Sequence, residues 1–304
     1  MKLFLLFFSI LSSCCIFLPA QDMFPARQLT SGPEQKGFPS WSPDSKSIVY
    51  QITTWNDTLG NNGLWIVSPD GKNPRRIFRG IAEHPKWSPD SRFIVFDSDY
   101  GGSIKLLPAR GGDIIDFLPD SVQIENGGLP CWSPDASKIA FIERKGMSIC
   151  TYDLNTGELE TLFREEGKLP VPGGWWNDGK SMLVAPMDLK SRKSTILRIS
   201  ADGMEKTRIE GHMEAFYRHL ALSPDGTLLV YAVFDGKYLG LYIMPSDGGP
   251  SLPLTVTGNS HNEGPSWSPD SKSIAFNSTR SGNFDIWIMD VDIEKIKQQL
   301  KNAK

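Results

Sequence analysis

The sequence predicts an all-β fold: a six-bladed β-propeller of four-stranded blades. Three observations lead to this prediction. A phrase based on Trp-Ser-Pro-Asp recurs in the 304 residues at intervals of about 45 residues, in four exact copies and two variants. Each copy is followed by short segments rich in β-branched and aromatic residues. One such segment is absent after the last copy and stands instead near the N-terminus. Six repeats of this length and composition are typical of propeller blades.

The repeated phrase marks a tight turn between the first two strands of each blade. "WSPDSK" occurs at residues 41–46 and 267–272, and weaker copies are "WWNDGK" at 175–180 and "LSPDGT" at 222–227. Proline presets φ at the second position of a turn, and aspartate suits the third. We interpret the six aspartates as turn residues rather than a metal-binding ring, and the adjacent tryptophans as packing between blades. The aspartates are Asp44, Asp90, Asp135, Asp178, Asp225 and Asp270.

The four strands of a blade, A to D in order of the repeat, follow from the segments around each turn. Strand A ends at the tryptophan, strand B is a run such as "SIVYQI", strand C resembles "LWIV", and strand D resembles "RRIF" or "IIDF". After "IWIMD" the sixth copy has no strand D. "ARQLT" at residues 26–30 matches the "LPLT" of another blade, so we predict that this N-terminal strand completes the last blade and closes the ring.

The propeller is predicted to span residues 21–292, and a short helical segment follows it at 293–304. Ile293, Ile296 and Leu300 lie on one stripe at helical spacing, which predicts an amphipathic helix. A frayed tail is the alternative.

Residues 1–20 have the pattern of a secretory signal peptide. Lys2 precedes an apolar stretch that ends at Pro19, and cleavage is expected after Ala20. The protein is therefore expected to be exported, to the periplasm or the extracellular space. The alternative is a lipoprotein, because "LSSC" resembles a lipobox and would anchor the chain at Cys14. No later apolar run is long enough to span a bilayer.

The charge balance argues against nucleic acid as a partner. The chain has 32 Lys and Arg against 35 Asp and Glu, a net charge of −3, and shows no basic patch. The spacing of cysteines and histidines does not suggest a structural zinc site. We expect no cofactor and no bound metal.

The repeat resembles the propeller repeat of the TolB family. "PSWSPDSKSIAFNSTRSGNFDIWIMD" at residues 265–290 follows the family pattern P-x-W-S-P-D-[SG]-K-x-I-A-F almost throughout, and the resemblance covers residues 24–292. It implies a six-bladed propeller and says less about function, because propellers host many activities. TolB itself is a periplasmic part of the Tol–Pal system and carries an α/β domain before its propeller. This sequence lacks that domain, so the resemblance implies a TolB-like propeller rather than a Tol–Pal role.

Candidate ligand-binding residues gather at one mouth of the channel. The D–A and B–C loops share a face, opposite the Ser-Pro-Asp turns. His84 and His219, each three residues before the last residue of strand A, belong to blades 2 and 5. These blades are half a turn apart, so we expect the two histidines to face each other. The predicted binding residues are Phe38, Trp55, His84, Arg218, His219, His261 and Glu263.

These residues support two hypotheses. The first is a non-enzymatic scaffold that binds an envelope protein or peptide at this mouth, with a glycan as the alternative ligand, since aromatic and arginine residues are enriched at binding hot spots. The second is a metal-assisted carbohydrate-active enzyme, similar to a lyase, that uses the mouth histidines. The first is favoured because two histidines opposed across a wide mouth would not reach one ion. We therefore name no catalytic residue and no metal ligand.

Overall fold

Six small antiparallel sheets surround a central channel in the structure, a computed structural model. It describes residues 21–100, 102–118, 127–143, 145, 147–210, 217–256 and 258–303. The predicted signal peptide, residues 1–20, and the lipobox cysteine Cys14 lie outside these residues. The A strands are innermost, and each contacts the A strands of both neighbouring blades, so the contacts run around a complete circle. The predicted fold class, a six-bladed propeller, is confirmed.

Each blade runs outward from strand A to strand D. The strands, in that order, are Lys36–Trp41, Ile48–Ile52, Gly63–Val67 and Arg75–Arg79 in blade 1; Ala82–Trp87, Phe93–Ser98 and Ser103–Pro108 in blade 2; Gly127–Trp132, Lys138–Glu143, Ser148–Asp153 and Leu159–Arg164 in blade 3; Pro172–Trp175, Ser181–Val184, Ile196–Ser200 and Lys206–Ile209 in blade 4; Tyr217–Leu222, Leu228–Phe234, Leu239–Pro245 and Leu252–Pro253 in blade 5; and Asn262–Trp267, Ser273–Ser278, Asp285–Asp290 and Ala26–Gln28 in blade 6. A two-stranded ribbon, Lys168–Leu169 with Met187–Asp188, lies beside blade 4.

The N-terminal strand closes the ring, as predicted. Ala26–Gln28 pairs antiparallel with Asp285–Asp290, with Ala26 opposite Met289. Side chains reinforce this pairing, because the buried Asp285 carboxylate accepts hydrogen bonds from Gln28 Nε2 and Thr30 Oγ1, both at 3.1 Å. Closure therefore joins the two ends of the described chain within one blade.

The outermost segment of blade 2 differs from the expected strand. Within the described residues, "IIDF" at 114–117 forms only one isolated bridge, between Ile115 and Leu106. Ile114 and Ile115 are each about 40% exposed. An apolar, β-branched composition alone does not make a strand where the segment has little core to cover.

Six clusters of buried apolar side chains stabilise the propeller, one between each pair of adjacent blades. Ile48 and Tyr50 of blade 1 pack on Ile286 and Ile288 of blade 6, for example. The B strands are the most buried, since each is covered by a blade on both faces. Because every cluster joins neighbouring blades, each blade buries its apolar faces against the blades on its two sides.

The aspartates of the Ser-Pro-Asp turns are structural, as predicted. In blade 1 the Ser42 hydroxyl donates to Asp44 Oδ1 at 2.6 Å, and the backbone N–H of Lys46 donates to the same oxygen at 3.0 Å. Blades 2, 3, 5 and 6 repeat both bonds. The tryptophan before the turn joins blades, because the indole of Trp87 donates to the carbonyl of Ser40 in the preceding blade at 3.1 Å.

The C-terminal segment is a helix, Ile293–Asn302, as predicted. Asp292 caps it by accepting from the backbone N–H of Lys295 at 3.0 Å. Ile296 and Leu300 are buried against blades 5 and 6. No helix within the described part of the chain has the length and apolarity needed to cross a membrane.

Asp225 should make stability depend on pH. Burial tends to raise its pKa, but hydrogen bonds from Ser223 and Thr227 and the charge of Lys297 outweigh burial and lower the pKa to about 2. A carboxylate whose folded pKa is lowered stabilises above its unfolded pKa, and this contribution is lost as the pH falls toward about 2. Asp225→Asn should therefore destabilise by about 1 kcal/mol at pH 7, and the difference from the native protein should shrink below pH ~4.

Urea unfolding at pH 7, 4 and 2.5 measures this difference. Asp178→Asn is the matched control, because in blade 4 the serine position of the turn is Trp176, and within the described residues Asp178 accepts only from Lys180 N–H. Its effect should be smaller at pH 7. A difference for Asp225→Asn that stays constant across the three pH values contradicts the prediction.

Candidate functional site

Every A strand is interrupted by a bulge at the same place, and the bulges shape the channel. The register of each A–B pair shifts there, between Gly37 and Ser40 in blade 1 and at the equivalent positions in the other five blades. The first bulge residue has a left-handed backbone in five blades: Phe38 (φ 51°), His84 (50°), Leu129 (52°), His219 (50°) and Gly264 (63°). A non-glycine residue with this φ is strained, and such strain persists only where the surrounding structure imposes it.

The sequence contains a signal for these bulges that the spacing of the repeats does not reveal. In four blades the bulge residue is followed by a proline: Pro39, Pro85, Pro130 and Pro265. Proline cannot donate to a strand ladder, so a proline inside a paired strand marks a bulge. The bulge turns the preceding side chain out of the ladder and toward the channel.

Phe38 occupies the space between the two channel histidines. Its ring lies 4.4 Å from the His84 ring and 4.8 Å from the His219 ring, centroid to centroid, in edge-on contacts. The expectation that His84 and His219 approach from opposite sides agrees with this arrangement, since both contact the same ring. Phe38, from blade 1, separates them.

Each of these histidines has a carboxylate beside its Nδ1 atom. His84 Nδ1 lies 3.0 Å from Oδ1 of Asp97, a fully buried residue. His219 Nδ1 lies 3.7 Å from Glu263 Oε2. The shorter contact, that of Asp97, is a hydrogen bond that fixes the His84 ring and leaves its Nε2 to face other groups. Asp97 was not among the predicted site residues, although an aspartate inside the buried strand "FIVFDS" is itself an unusual feature.

Of the remaining predicted residues, His261 and Trp55 lie on other parts of the blades. His261 belongs to the contact between blades 5 and 6, where its Nδ1 accepts from the Leu239 N–H at 3.3 Å. Arg218 lies in strand A of blade 5, and its side chain is outside what the structure describes. Trp55 lies on the B–C loop of blade 1. The structure thus brings Phe38, His84, His219 and Glu263 together, and their binding role stays a prediction.

A band of exposed apolar side chains surrounds the mouth formed by the B–C loops. Trp55 is 88% exposed, and its ring lies 5.8 Å from that of Tyr100 in the neighbouring blade. The band, which we call the loop-face band, includes an exposed side chain from five of the six blades. Its members are Trp55, Leu59, Tyr100, Met147, Leu189 and Phe234.

The base of Trp55 is held firmly by its own loop. Asn62, which is buried, accepts from Thr54 N–H at 2.8 Å and donates to the Thr54 carbonyl at 3.1 Å. Asp57 accepts from the N–H groups of Asn61 and Asn62 at 2.8 and 2.9 Å. The indole is therefore presented to solvent from an ordered turn.

The described residues contain no group of three or more His, Cys, Asp or Glu arranged to hold a metal ion. The two His–carboxylate pairs are the nearest approach to one, and the Phe38 ring lies between them.

Comparison with known proteins shows the fold. No protein-family model matches the chain. An uncharacterized protein of Agrobacterium fabrum is 30% identical over 148 residues, which are 48% of this chain and 47% of that protein. The match thus spans about half the length of the relative.

Solved structures with the same architecture include two TolB-type proteins. A candidate TolB from Agrobacterium tumefaciens has a TM-score of 0.62 and 21% identity, over 88% of this chain and 94% of that one. TolB from Acinetobacter baumannii has a TM-score of 0.62 and 19% identity, over 85% of this chain and 64% of that one. An oligogalacturonate lyase from Vibrio parahaemolyticus has a TM-score of 0.62 and 14% identity, over 90% and 96%. The chain has a TolB-like propeller fold.

Proposed function

We propose that this TolB-like propeller is an exported, non-enzymatic scaffold that binds a protein or peptide of the cell envelope on its loop face. The loop-face band is the observation that supports this proposal. Six of the ten large apolar side chains that are exposed in the described residues belong to it. Apolar side chains gathered at one end of a soluble protein are typical of interaction sites.

Trp55 is the proposed anchor of the interface. Tryptophan is enriched among residues whose truncation costs the most binding energy, and a rigid base lowers the entropy lost on binding. Export is supported by the signal-like pattern of residues 1–20, and an envelope partner by the resemblance of the repeat to the TolB family. The occupation of the space between His84 and His219 by Phe38 favours binding over catalysis.

Trp55→Ala is expected to weaken partner binding by about 30-fold or more, because hot-spot truncations cost at least about 2 kcal/mol. A photo-crosslinking amino acid at position 55 first identifies the partner in envelope extracts of the source cell. The affinity of that purified partner is then measured for the native protein and for the variant.

Met204→Ala is the control. Met204 is 82% exposed but lies on a C–D turn, at the opposite end of the blades. Cross-links at 204 as frequent as those at 55, or an unchanged affinity in Trp55→Ala, would refute the proposal. A cross-linked cell-wall glycan, stacked on Trp55 and Tyr100, would instead support the glycan alternative.

The two His–carboxylate pairs favour a second candidate, a metal-assisted carbohydrate-active enzyme. The fold likeness to oligogalacturonate lyase is compatible with it. Elemental analysis of residues 21–304, dialysed against trace Ca²⁺, Mn²⁺ and Zn²⁺, separates the candidates. About one transition metal per chain, lost in His84→Ala, would favour the enzyme.

A further inference from the structure

The residue directly before the last residue of each A strand lines the channel. It is small in five blades and has a long side chain in one. The six residues at this position are Ser40, Lys86, Cys131, Gly174, Ala221 and Ser266. All six line one cavity of about 350 Å³. The five small side chains leave this level of the channel unfilled, and Lys86 alone extends into it.

The cavity has the form of a cup. The bulge layer, with Phe38, His84 and His219, closes one end, and the lining continues to Pro89 and Pro224 of the Ser-Pro-Asp turns. The wall between combines small polar side chains with four tryptophans, Trp87, Trp132, Trp175 and Trp267. The cup thus lies on the other side of the bulge layer from the loop-face band. Its volume is at the lower end of the range for small-molecule sites.

The described lining of the cup has a basic side chain, Lys86, but no acidic one to balance it. None of the described residues that line it is an Asp or a Glu. Lys86 Nζ makes no ion pair and no hydrogen bond to any other described residue. Cys131, which also lines the cup, is held neutral because burial raises its pKa to about 12. Burial also lowers the pKa of Lys86.

Lys86 is half-buried, and an ammonium group with reduced access to water and no counter-charge is unfavourable, so proteins normally pair such a group. An anion that enters the cup would supply the missing partner. The indole and proline walls would exclude water from an apolar remainder of the same molecule. A carboxylate with a small apolar body satisfies both parts of the lining.

We propose that the cup binds a small apolar carboxylate, with the carboxylate on Lys86 Nζ and the apolar part against the tryptophan wall. This site is distinct from the loop face, so the proposal does not depend on whether the loop face binds a protein.

Three probes of the same shape and different charge test the proposal: phenylacetate, phenylacetamide and 2-phenylethylamine. Isothermal titration calorimetry at constant ionic strength measures their binding to residues 21–304. Phenylacetate should bind at least about tenfold more tightly than the amide, because charge-assisted hydrogen bonds are about twice as strong as neutral ones. The amine should not bind.

Lys86→Met keeps the length of the side chain and removes its charge, so it should lower phenylacetate affinity about tenfold or more without changing that of the amide. Lys46→Met is the control, because Lys46 lies on a Ser-Pro-Asp turn at the same end of the channel and its side chain is 81% exposed. Thermal unfolding verifies that both variants are folded. Equal affinities for acid and amide, unchanged binding in Lys86→Met, or no saturable phenylacetate binding up to about 10 mM would each overturn the proposal.

Discussion

Removal of residues 21–30 is expected to lower the melting temperature of the propeller by more than about 10 °C. These residues contribute the outermost strand of blade 6 and two buried side chains, Phe24 and Leu29. Loss of a buried Phe or Leu typically costs 2–5 kcal/mol each, and lost hydrogen bonds about 1 kcal/mol each. The total is comparable to the 5–15 kcal/mol by which a typical protein is stable.

Electrostatics at the closure add to this loss. Lys36 Nζ lies 3.3 Å from Asp285 Oδ1, and both side chains are almost completely buried. Without residues 28 and 30, Asp285 loses two hydrogen-bond donors. The loss of these two donors removes hydrogen bonds that each contribute about 1 kcal/mol. The strand Asp285–Asp290 also becomes an open edge, so the variant should self-associate.

Thermal unfolding by circular dichroism and size-exclusion chromatography measure both effects. Removal of residues 293–304 is the control, because it deletes a similar length and also two buried side chains, Ile296 and Leu300, but leaves the ring closed. Its melting temperature should fall less. A peptide of residues 21–31 should restore stability to the first variant by adding back the strand. Equal melting temperatures for the two truncations would contradict closure as the cause.

Gly63→Ala is expected to destabilise the protein by about 3–5 kcal/mol. Gly63 begins strand C of blade 1 with φ 146°, and a Cβ atom there would lie 1.9 Å from the carbonyl oxygen of Phe78. The clash is with backbone of strand D, which cannot rotate away. Strands C and D must therefore separate or shift register, and the packing of the neighbouring Phe78 and Leu64 is lost with them.

Gly112→Ala isolates the contribution of the backbone angle. Gly112 has φ 126°, but a Cβ atom there would meet nothing within 4 Å. That variant should lose only about 1–2 kcal/mol, the cost of an unfavourable φ. Urea unfolding of both variants gives the two free energies. A loss in Gly63→Ala no larger than in Gly112→Ala would show that strand D yields to the added methyl group.

The fold could be predicted because its signal repeats. One turn of this kind would be a weak indication, but six at nearly constant spacing, five of them Ser-Pro-Asp, fix the blade boundaries. The missing strand D then requires closure by residues 26–30. The same register places His84 and His219 in opposite blades. The outer segment of blade 2 could not be predicted this way, because pairing at a sheet edge depends on what the segment can cover.

The chemistry of the channel was harder to predict. The contact of Phe38 with both histidines depends on a left-handed backbone angle, which no periodicity reports. Asp97 reaches His84 from an adjacent strand, and His261 turns toward blade 5. The small residues that form the cup are visible in the sequence only once the A strands are aligned by their bulges. The spacing of the repeats thus predicts the blades. The contacts in the channel depend on how the bulges of the six A strands are arranged around it, which the spacing does not show.

Because of the bulges, the residues that hold each blade together differ from the residues that line the channel. Each bulge residue lies outside the hydrogen-bonded ladder, so the blade is held together by residues on either side of it. A Phe, two His, a Leu and a Gly already occupy equivalent left-handed positions in this one chain. These five positions thus present different side chains to the channel around a common axis, while the apolar clusters that hold the blades together lie elsewhere. The lining of the channel can therefore differ from blade to blade without a change in the packing between blades.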